Sequence, residues 1–233
     1  NYERFLNRNL SGANYMTTGS VYQAVISRER NLEYGGRCVE VVPHIPLEVI
    51  ERIKRAAYSE PRSEERARAK ERADIVITEI GGTVGEYQNI LFLEAVRMLK
   101  LEKPADVLLV LVSYLPILSD DNELKTKPTQ YAVRTLNSAG LQPDIVLARA
   151  KYPLDKKRKE KIALNCGLRT SDIISAPDVS ALYEIPLNFE KDKLGDVILL
   201  KAGLKPSGRD LRDWRRMVER IRGAKKTVRI GIV

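Results

Sequence analysis

The sequence predicts an α/β fold, a doubly wound and mostly parallel sheet flanked by helices. Short apolar runs typical of buried strands alternate along the chain with amphipathic helical patterns. The most apolar run, 107–118, has so few polar residues that it is typical of a strand buried on both faces. Ligands of such sheets bind beyond the carboxyl ends of the strands, so we expect functional loops at 81–88, 119–130 and 149–154.

The elements follow one another in a regular order. Extended segments are predicted at 39–45, 74–80, 107–112, 144–148, 173–175 and 227–233. Helical stripes are predicted after Pro46 (Val49, Ile50, Ile53, Ala57), after a glycine loop at 81–85 (Phe92, Val96, Leu99), after a basic turn at 125–130 (Ala132, Leu136, Ala139), after a cap at Asp155, and near the end (Leu211, Trp214, Val218, Ile221). Acids and bases interleave at 59–72, which indicates a solvated helix or loop.

Composition excludes several classes of protein. The 233 residues suffice for one large or two small domains, and 30% charged with 43% hydrophobic residues is typical of a soluble globular chain. No run approaches the roughly 18 apolar residues of a membrane span, so no membrane partner is expected. The two cysteines, Cys38 and Cys166, lie far apart, which favours a reducing cytoplasm.

The formal net charge of +9 does not by itself indicate nucleic acid. Charges of both signs are mixed, and aromatic residues do not alternate with basic ones as they do in platforms that stack bases. Nucleic acid is therefore not expected as a partner. A small anionic ligand explains the surplus of positive charge equally well.

The segment KTKPTQ, residues 125–130, places two ammonium groups, two hydroxyls and an amide within six residues. Pro128 suits the first turn of the helix that follows, where its missing N–H costs nothing. Free backbone N–H groups and the macrodipole at such a helix start favour an anion, and two lysines favour a phosphate. The alternative is a solvated basic turn before a surface helix.

A second candidate site is the run EIGGTVG, residues 79–85, which reads as strand, glycine loop and helix. Three glycines allow close approach of the backbone to a ligand, although the GK[ST] ending of a P-loop is absent from this run. Mg²⁺ takes one or two carboxylates together with substrate phosphates, so Glu79 is a candidate ligand. The alternative is a glutamate paired with a lysine or arginine.

Taken together, several segments resemble the synthetase (amidoligase) domain of the CTP synthase family. They are NYERFL, NYMTTGSVY, EIGGTVGEYQNILFLEA, ELKTKPTQYAV, LQPDIVLAR, EKIALNC and APDVSALYEIPL, in order from residue 1 to about 200. The resemblance implies a P-loop NTPase or dethiobiotin-synthetase-like architecture. It also implies a ligase that forms a C–N bond: ATP phosphorylates O4 of UTP, and ammonia from a glutaminase domain then displaces phosphate to give CTP.

The resemblance also implies roles for particular residues, with Mg²⁺ and ATP as cofactor and co-substrate. Glu79 matches a magnesium ligand, and no covalent catalytic residue is implied. Arg149, Asp178 and Val179 match positions near the adenine of ATP. The residues implied for UTP, or for CTP as feedback inhibitor, are Glu86, Tyr87, Gln88, Lys125, Thr126, Lys127, Pro128, Thr129, Gln130 and Lys161.

The chain departs from the family pattern in three places. The family's P-loop and first magnesium carboxylate precede the NYERFL segment, with which this chain begins, and the glutaminase domain would follow the closing TVRIGIV. Glu86-Tyr87-Gln88 replaces the family's Asp-Ile-Glu. We therefore expect an amino-terminally incomplete synthetase domain at 1–204, a linker helix at 205–226 and the first strand of a truncated glutaminase domain at 227–233.

Further expectations follow from the resemblance. The 233-residue chain alone is expected to be inactive and poorly soluble, and the parent protein is expected to form dimers that pair into tetramers.

Two alternatives remain: a non-catalytic nucleotide-binding or assembly module, and a general ATPase of the dethiobiotin-synthetase type. The ATPase would not need KTKPTQ. His44 receives no role beyond a structural one.

Overall fold

The computed structural model describes residues 2–7, 9–58, 73–118, 123–205, 208 and 210–231. The chain divides into two compact units, 1–104 and 105–233, which are described separately. The charged segment predicted at 59–72 lies outside the described residues.

The first unit packs helices around a small apolar core. Its helices are α1 (Tyr2–Leu6), α2 (Thr18–Arg30), α3 (Val41–Ala56) and α4 (Ile90–Glu102). The core consists of Val21, Val25, Ile45, Val49, Ile50 and Ala95. Val21 and Val25 are four residues apart, as are Ile45 and Val49, which places them on the inner faces of α2 and α3, and α4 contributes Ala95.

A buried carboxylate joins α2 to α3. Glu48 is 3% exposed, and one of its oxygens lies 2.5 Å from Nη2 of Arg28 on α2. The other oxygen accepts a 2.6 Å bond from Nε of Arg52, one turn along α3. Because each carboxylate oxygen faces a guanidinium, the charge is compensated where water is excluded.

The start of α3 differs from the extended segment predicted at 39–45. Glu40 is extended, the helix runs from Val41, and only Val42 keeps non-helical angles within it. Pro46 therefore lies inside the helix, one turn after its start. A proline is tolerated there because its N–H would have bonded the carbonyl of Val42, which is not in helical conformation.

The segment 74–80, predicted as a strand, has no strand pairing in the described part of the chain. Ile75 and Ile77 are 49% and 87% exposed. A run of apolar residues becomes a strand only when a neighbouring strand completes its hydrogen bonds. No described segment of the first unit does so.

The second unit is built on a parallel sheet of three strands in the order β1 (Val110–Leu115), β2 (Ile145–Ala150) and β3 (Ile173–Pro177). Its helices are α5 (Lys127–Ser138), α6 (Lys156–Cys166), α7 (Ile185–Phe189), α8 (Leu194–Lys201) and α9 (Arg212–Arg222). Helices α5 and α6 connect successive parallel strands. The α/β class with a parallel sheet flanked by helices is thus confirmed.

Strands β1 and β2 begin later than the sequence predicts, whereas β3 begins at Ile173 as predicted. The apolar run suggested a strand from 107, but the backbone N–H of Leu109 donates to the side chain of Asp144 at 2.7 Å. The carbonyl of Leu109 in turn accepts from the backbone N–H of Asp144. This local exchange replaces ladder bonds, so regular pairing starts at Val110 with Ile145.

The predicted cap of α6 is confirmed. Oδ1 of Asp155 accepts a 2.7 Å bond from the backbone N–H of Arg158, and this bond is the main cause of its lowered pKa. The helix ends at Gly167, whose φ of +65° is the left-handed conformation that favours glycine.

Two other stretches complete the description of the chain. Residues 227–231, at the predicted closing strand, are not in a strand, and 232–233 lie outside the described residues. Among the helices that the structure describes, none is both long enough and apolar enough to cross a bilayer.

Candidate functional site

The carboxyl edge of the three-stranded sheet gathers several of the predicted residues. Strand β1 ends at Leu115 and leads into the loop before α5, although 119–122 of that loop lie outside the described residues. Asp178 follows directly after β3. Because the strands are parallel and adjacent, the segments after them lie along the same edge.

The loop after β1 folds back to deliver the basic turn to this edge. Ile117 and Leu124 form an isolated antiparallel bridge, and the N–H of Lys125 donates to the carbonyl of Pro116 at 2.9 Å. The ammonium of Lys125 pairs with the carboxylate of Glu123. Lys125 is therefore held beside the end of β1.

Helix α5 begins as the sequence predicts. It runs from Lys127, with Pro128 in its first turn, and Thr126 before it forms no side-chain cap. The side chain of Lys127 is exposed. A helix start without a side-chain cap, flanked by two lysines, has the positive potential that attracts a phosphate.

The polar side chains of the turn lie deeper than the lysines. Thr129 is completely buried, and its hydroxyl lies 2.8 Å from that of Ser113 on β1. Thr126 is 5% exposed and accepts a 3.2 Å bond from Nε2 of Gln130. In this structure these groups hold the turn and α5 in place, a function that the sequence pattern did not indicate.

The residues predicted for the adenine of ATP come together at the ends of β2 and β3. Nε of Arg149 lies 3.3 Å from a carboxylate oxygen of Asp178, and both side chains are about half exposed. The N–H of Asp178 donates to the carbonyl of Ala150 at 2.8 Å, which extends the pairing of the two strands. Val179, half-buried, comes next.

The turn after Val179 contains a buried carboxylate that sequence reasoning missed. Glu184 is 6% exposed and accepts bonds from Nε and Nη2 of Arg222, at 2.9 and 2.5 Å, and from Ser180. The Arg222 hydrogen bonds are the main cause that lowers the pKa of Glu184 to about 2. Because the partners are 38 residues apart, no local pattern predicts the pair.

Lys161, which was also predicted to bind UTP or CTP, lies on α6 and not in the basic turn. It lies in the second turn of α6, and its side chain is exposed. Helices α5 and α6 pack against each other, so Lys161 belongs to the same helical layer as the basic turn.

The glycine loop 81–85 belongs to the first unit and is described within it. Gly82 and Gly85 have φ values of +89° and +95°. The positive φ of Gly82 favours glycine at this position, and a Cβ there would lie 2.9 Å from a carboxylate oxygen of the exposed Glu86 side chain, which would have to move. Tyr87 and Gln88 are exposed.

Asn89 holds this loop and was not singled out by the sequence. It is 4% exposed, and its Nδ2 donates to the carbonyl of Thr83 at 2.7 Å and lies 3.5 Å from that of Gly81. Its Oδ1 is buried without a hydrogen-bond partner among the described residues. The only sequence-level signal is an asparagine directly before a helix.

The surroundings of Glu79 are compatible with the expected Mg²⁺. Its carboxylate is exposed and lies over the loop, with Oε1 3.9 Å from the position that a Cβ of Gly81 would occupy. In the described part of the chain, no three His, Cys, Asp or Glu residues gather as a metal cluster. A magnesium ion that takes most of its ligands from phosphates and water needs only one or two carboxylates.

His44 has the structural surroundings that were expected. Its Nδ1 accepts a 3.0 Å bond from the backbone N–H of Glu40, and its ring packs edge-on against Tyr34 at 5.0 Å. These contacts fix the segment that leads into α3.

Comparison with known proteins decides the family. A family model described as the CTP synthase N-terminus matches residues 1–204. The chain belongs to the CTP synthase family. A CTP synthase of Carboxydothermus hydrogenoformans is 45% identical over the whole chain, which covers 42% of that relative. CTP synthases of Pelotomaculum thermopropionicum and Methanocaldococcus jannaschii are 43% and 42% identical, and the chain covers 41% of each.

The chain thus spans about two fifths of the length of these CTP synthases. It corresponds to the amino-terminal part that the family model describes. The segments that suggested the family from the sequence all lie within 1–204.

Proposed function

We propose that this chain forms the synthetase part of an enzyme that converts UTP to CTP in pyrimidine nucleotide biosynthesis. ATP transfers its γ-phosphoryl group to O4 of UTP, ammonia attacks C4, and phosphate leaves. Ammonia comes from glutamine through a glutaminase domain of the same polypeptide. The observation that carries the proposal is the family match over 1–204, within which the basic turn begins α5 at the carboxyl edge of the sheet.

The chemistry of the basic turn supports a triphosphate as its ligand. Lys127 supplies a positive charge beside an uncapped helix start, and Lys125 would supply a second one by exchanging Glu123 for the phosphate. Charge-assisted hydrogen bonds to phosphate are shorter and stronger than neutral ones. Thr126 and Thr129 keep the turn in shape from inside the fold, so its backbone needs little rearrangement when the ligand binds. Gln130, Pro128 and Lys161 complete this part of the proposed UTP or CTP site.

The other predicted residues take separate roles in the proposal. Arg149, Asp178 and Val179 would bind the adenine side of ATP at the ends of β2 and β3. Glu86, Tyr87 and Gln88 would contact the pyrimidine nucleotide. Glu79 would hold Mg²⁺, which when bound neutralises charge on the transferring phosphates. Phosphoryl transfer needs mainly positioning and charge compensation, and lysines and arginines supply both.

The proposal extends to assembly, regulation and location. We propose that the protein forms dimers that pair into tetramers, that CTP inhibits by occupying the UTP site, and that the enzyme acts in the cytoplasm.

Lys127→Ala tests the role of the basic turn. In the protein as its gene encodes it, we expect UTP and CTP affinity to fall about tenfold or more, because a charge-assisted bond contributes about 1.5–3 kcal/mol. Calorimetric titration with each nucleotide measures this, with Lys103→Ala, an exposed lysine after α4, as the control. Unchanged affinity in a folded Lys127→Ala protein would refute the assignment of the turn.

The reaction itself is tested by following CTP formation from UTP, ATP and glutamine with the same protein. No CTP from either glutamine or ammonia would refute the proposed function.

A further inference from the structure

Helix α9 contacts the turn after β3 through two side chains that have no role in the proposed function. The guanidinium of Arg222 donates to both carboxylate oxygens of Glu184, at 2.9 and 2.5 Å. About two turns of helix earlier, Nε1 of Trp214 donates to the carbonyl of Tyr183 at 2.8 Å. Both contacts join residues more than 30 positions apart in the chain.

The contacts bury the carboxylate side of the pair, while the side chain of Arg222 remains 62% exposed. The side chain of Glu184 is 8% exposed, and Val218, between the two anchors on α9, is 2% exposed. The rings of Tyr183 and Trp214 meet edge-on with centroids 6.2 Å apart. A two-bond guanidinium–carboxylate pair fixes direction as well as distance, and a buried carboxylate that loses its cation is costly.

The turn that α9 holds continues directly from the residues proposed for ATP. Asp178 is tied to β2 through the carbonyl of Ala150, at 2.8 Å. Ser180, two residues later, donates to Glu184 at 3.0 Å. The segment 178–184 is therefore held at one end by the sheet and at the other by α9, with Val179 between the two attachments.

We propose that Glu184 is a positioning residue for the segment 178–184, with Arg222 and Trp214 of α9 as its anchors. Binding of an adenine nucleotide to this segment and docking of α9 are then energetically coupled, and each strengthens the other. The nucleotide part of this inference rests on the proposed function. The mechanical part, that α9 holds the segment, rests on the contacts alone.

Hydrogen exchange of the 233-residue chain tests the mechanical part. The variant is Arg222→Gln, and the matched control is Arg216→Gln on the same helix, whose pair with Asp213 at 3.2 Å is exposed. We expect faster exchange in peptides covering 178–184 for Arg222→Gln only. Equal exchange in all three proteins would overturn the inference.

Two further measurements keep this test decisive. Trp214 is the sole tryptophan of the chain, so its emission should shift to longer wavelength in Arg222→Gln and stay constant in the control. If Arg222→Gln does not fold, Arg222→Lys keeps the charge but loses the two-bond geometry, and it should show a smaller change in exchange. No change with a folded Arg222→Lys would then count against the inference.

A kinetic test addresses the coupling in the protein as its gene encodes it. We expect Glu184→Gln and Arg222→Gln to raise KM for ATP on the order of fivefold or more while KM for UTP stays within about twofold. Equal changes in both constants would indicate general loss of structure and overturn the coupling. If the unchanged protein forms no CTP, the proposed function fails, and hydrogen exchange still decides whether α9 holds the segment.

Discussion

At the scale of single residues, Asn89 shows how one side chain can shape a functional loop. Its amide N–H group holds the carbonyl of Thr83 at 2.7 Å while Gly82 leaves room for the carboxylate of Glu86. The carbonyl of Thr83 also accepts a 3.1 Å bond from the backbone N–H of Glu86, so Asn89 adds a second, buried donor to this turn. The amide of Asn89 thus helps to hold the loop after Glu79 in its conformation.

Asn89→Ala should therefore loosen the loop. We expect a loss of about 0.5–1.5 kcal/mol in the free energy of unfolding, because the carbonyl of Thr83 keeps the backbone N–H of Glu86 as a donor but loses the amide of Asn89. Urea denaturation gives the energy, and hydrogen exchange over 81–86 shows where the loss occurs.

Asn31→Ala is the matched control, since Asn31 makes a 3.3 Å bond to Glu33 at the surface. Its effect should stay within about 0.5 kcal/mol. Equal effects of the two substitutions would contradict the role of Asn89 in holding the loop.

At the scale of elements, the packing of α5 on β1 depends on a polar contact within an apolar interface. The hydroxyls of Ser113 and Thr129 lie 2.8 Å apart, with side chains such as Leu115, Val133 and Leu136 buried in the same unit. A buried hydroxyl without a partner is unfavourable, so the pair fixes the position of α5 relative to the strand. The basic turn is thereby placed at the sheet edge.

A double-mutant cycle should reveal this coupling. Ser113→Ala and Thr129→Val should each lower the free energy of unfolding by about 1–3 kcal/mol, since each leaves the other hydroxyl unpaired. The double variant should cost less than the sum of the two single variants. Urea denaturation of the 233-residue chain measures all three.

Thr135→Val on the exposed side of α5 is the control and should change stability by less than about 0.5 kcal/mol. Strict additivity of Ser113→Ala and Thr129→Val would show that the hydroxyls do not interact.

At the scale of the whole molecule, one face of β1 presents apolar side chains to solvent. Val110, Val112 and Tyr114 are 36%, 65% and 52% exposed, and β1 lies at an edge of the described sheet. An exposed apolar face next to an unpaired edge promotes association between chains. We therefore expect the predicted poor solubility to arise from this face of β1.

The 233-residue chain should therefore self-associate as its concentration rises. Val112→Lys places a charge on this face and should reduce the association, as charged side chains do on natural edge strands. Light scattering after size-exclusion chromatography measures the mass. Val228→Lys, at a residue that is 78% exposed outside the sheet, should leave association unchanged. A chain that stays monomeric at every concentration would contradict the prediction.

The sequence by itself determined the features that depend on neighbours in the chain. Alternating apolar runs predicted the α/β class, Pro128 predicted the start of α5, and Asp155 predicted the cap of α6. The KTKPTQ and EIGGTVG segments identified the family that the comparison then confirmed. Capping, turns and helical periodicity act over a few residues, so they can be read locally.

The tertiary structure decided what depends on distant partners. It gave 74–80 no strand partner among the described residues, buried Thr129 against Ser113, and joined Glu184 to Arg222 across 38 positions. Whether an apolar run becomes a strand, or a threonine faces ligand or core, is set by which segments pack against it. Burial and pairing of this kind arise only when the chain has folded, so no local pattern could have predicted them.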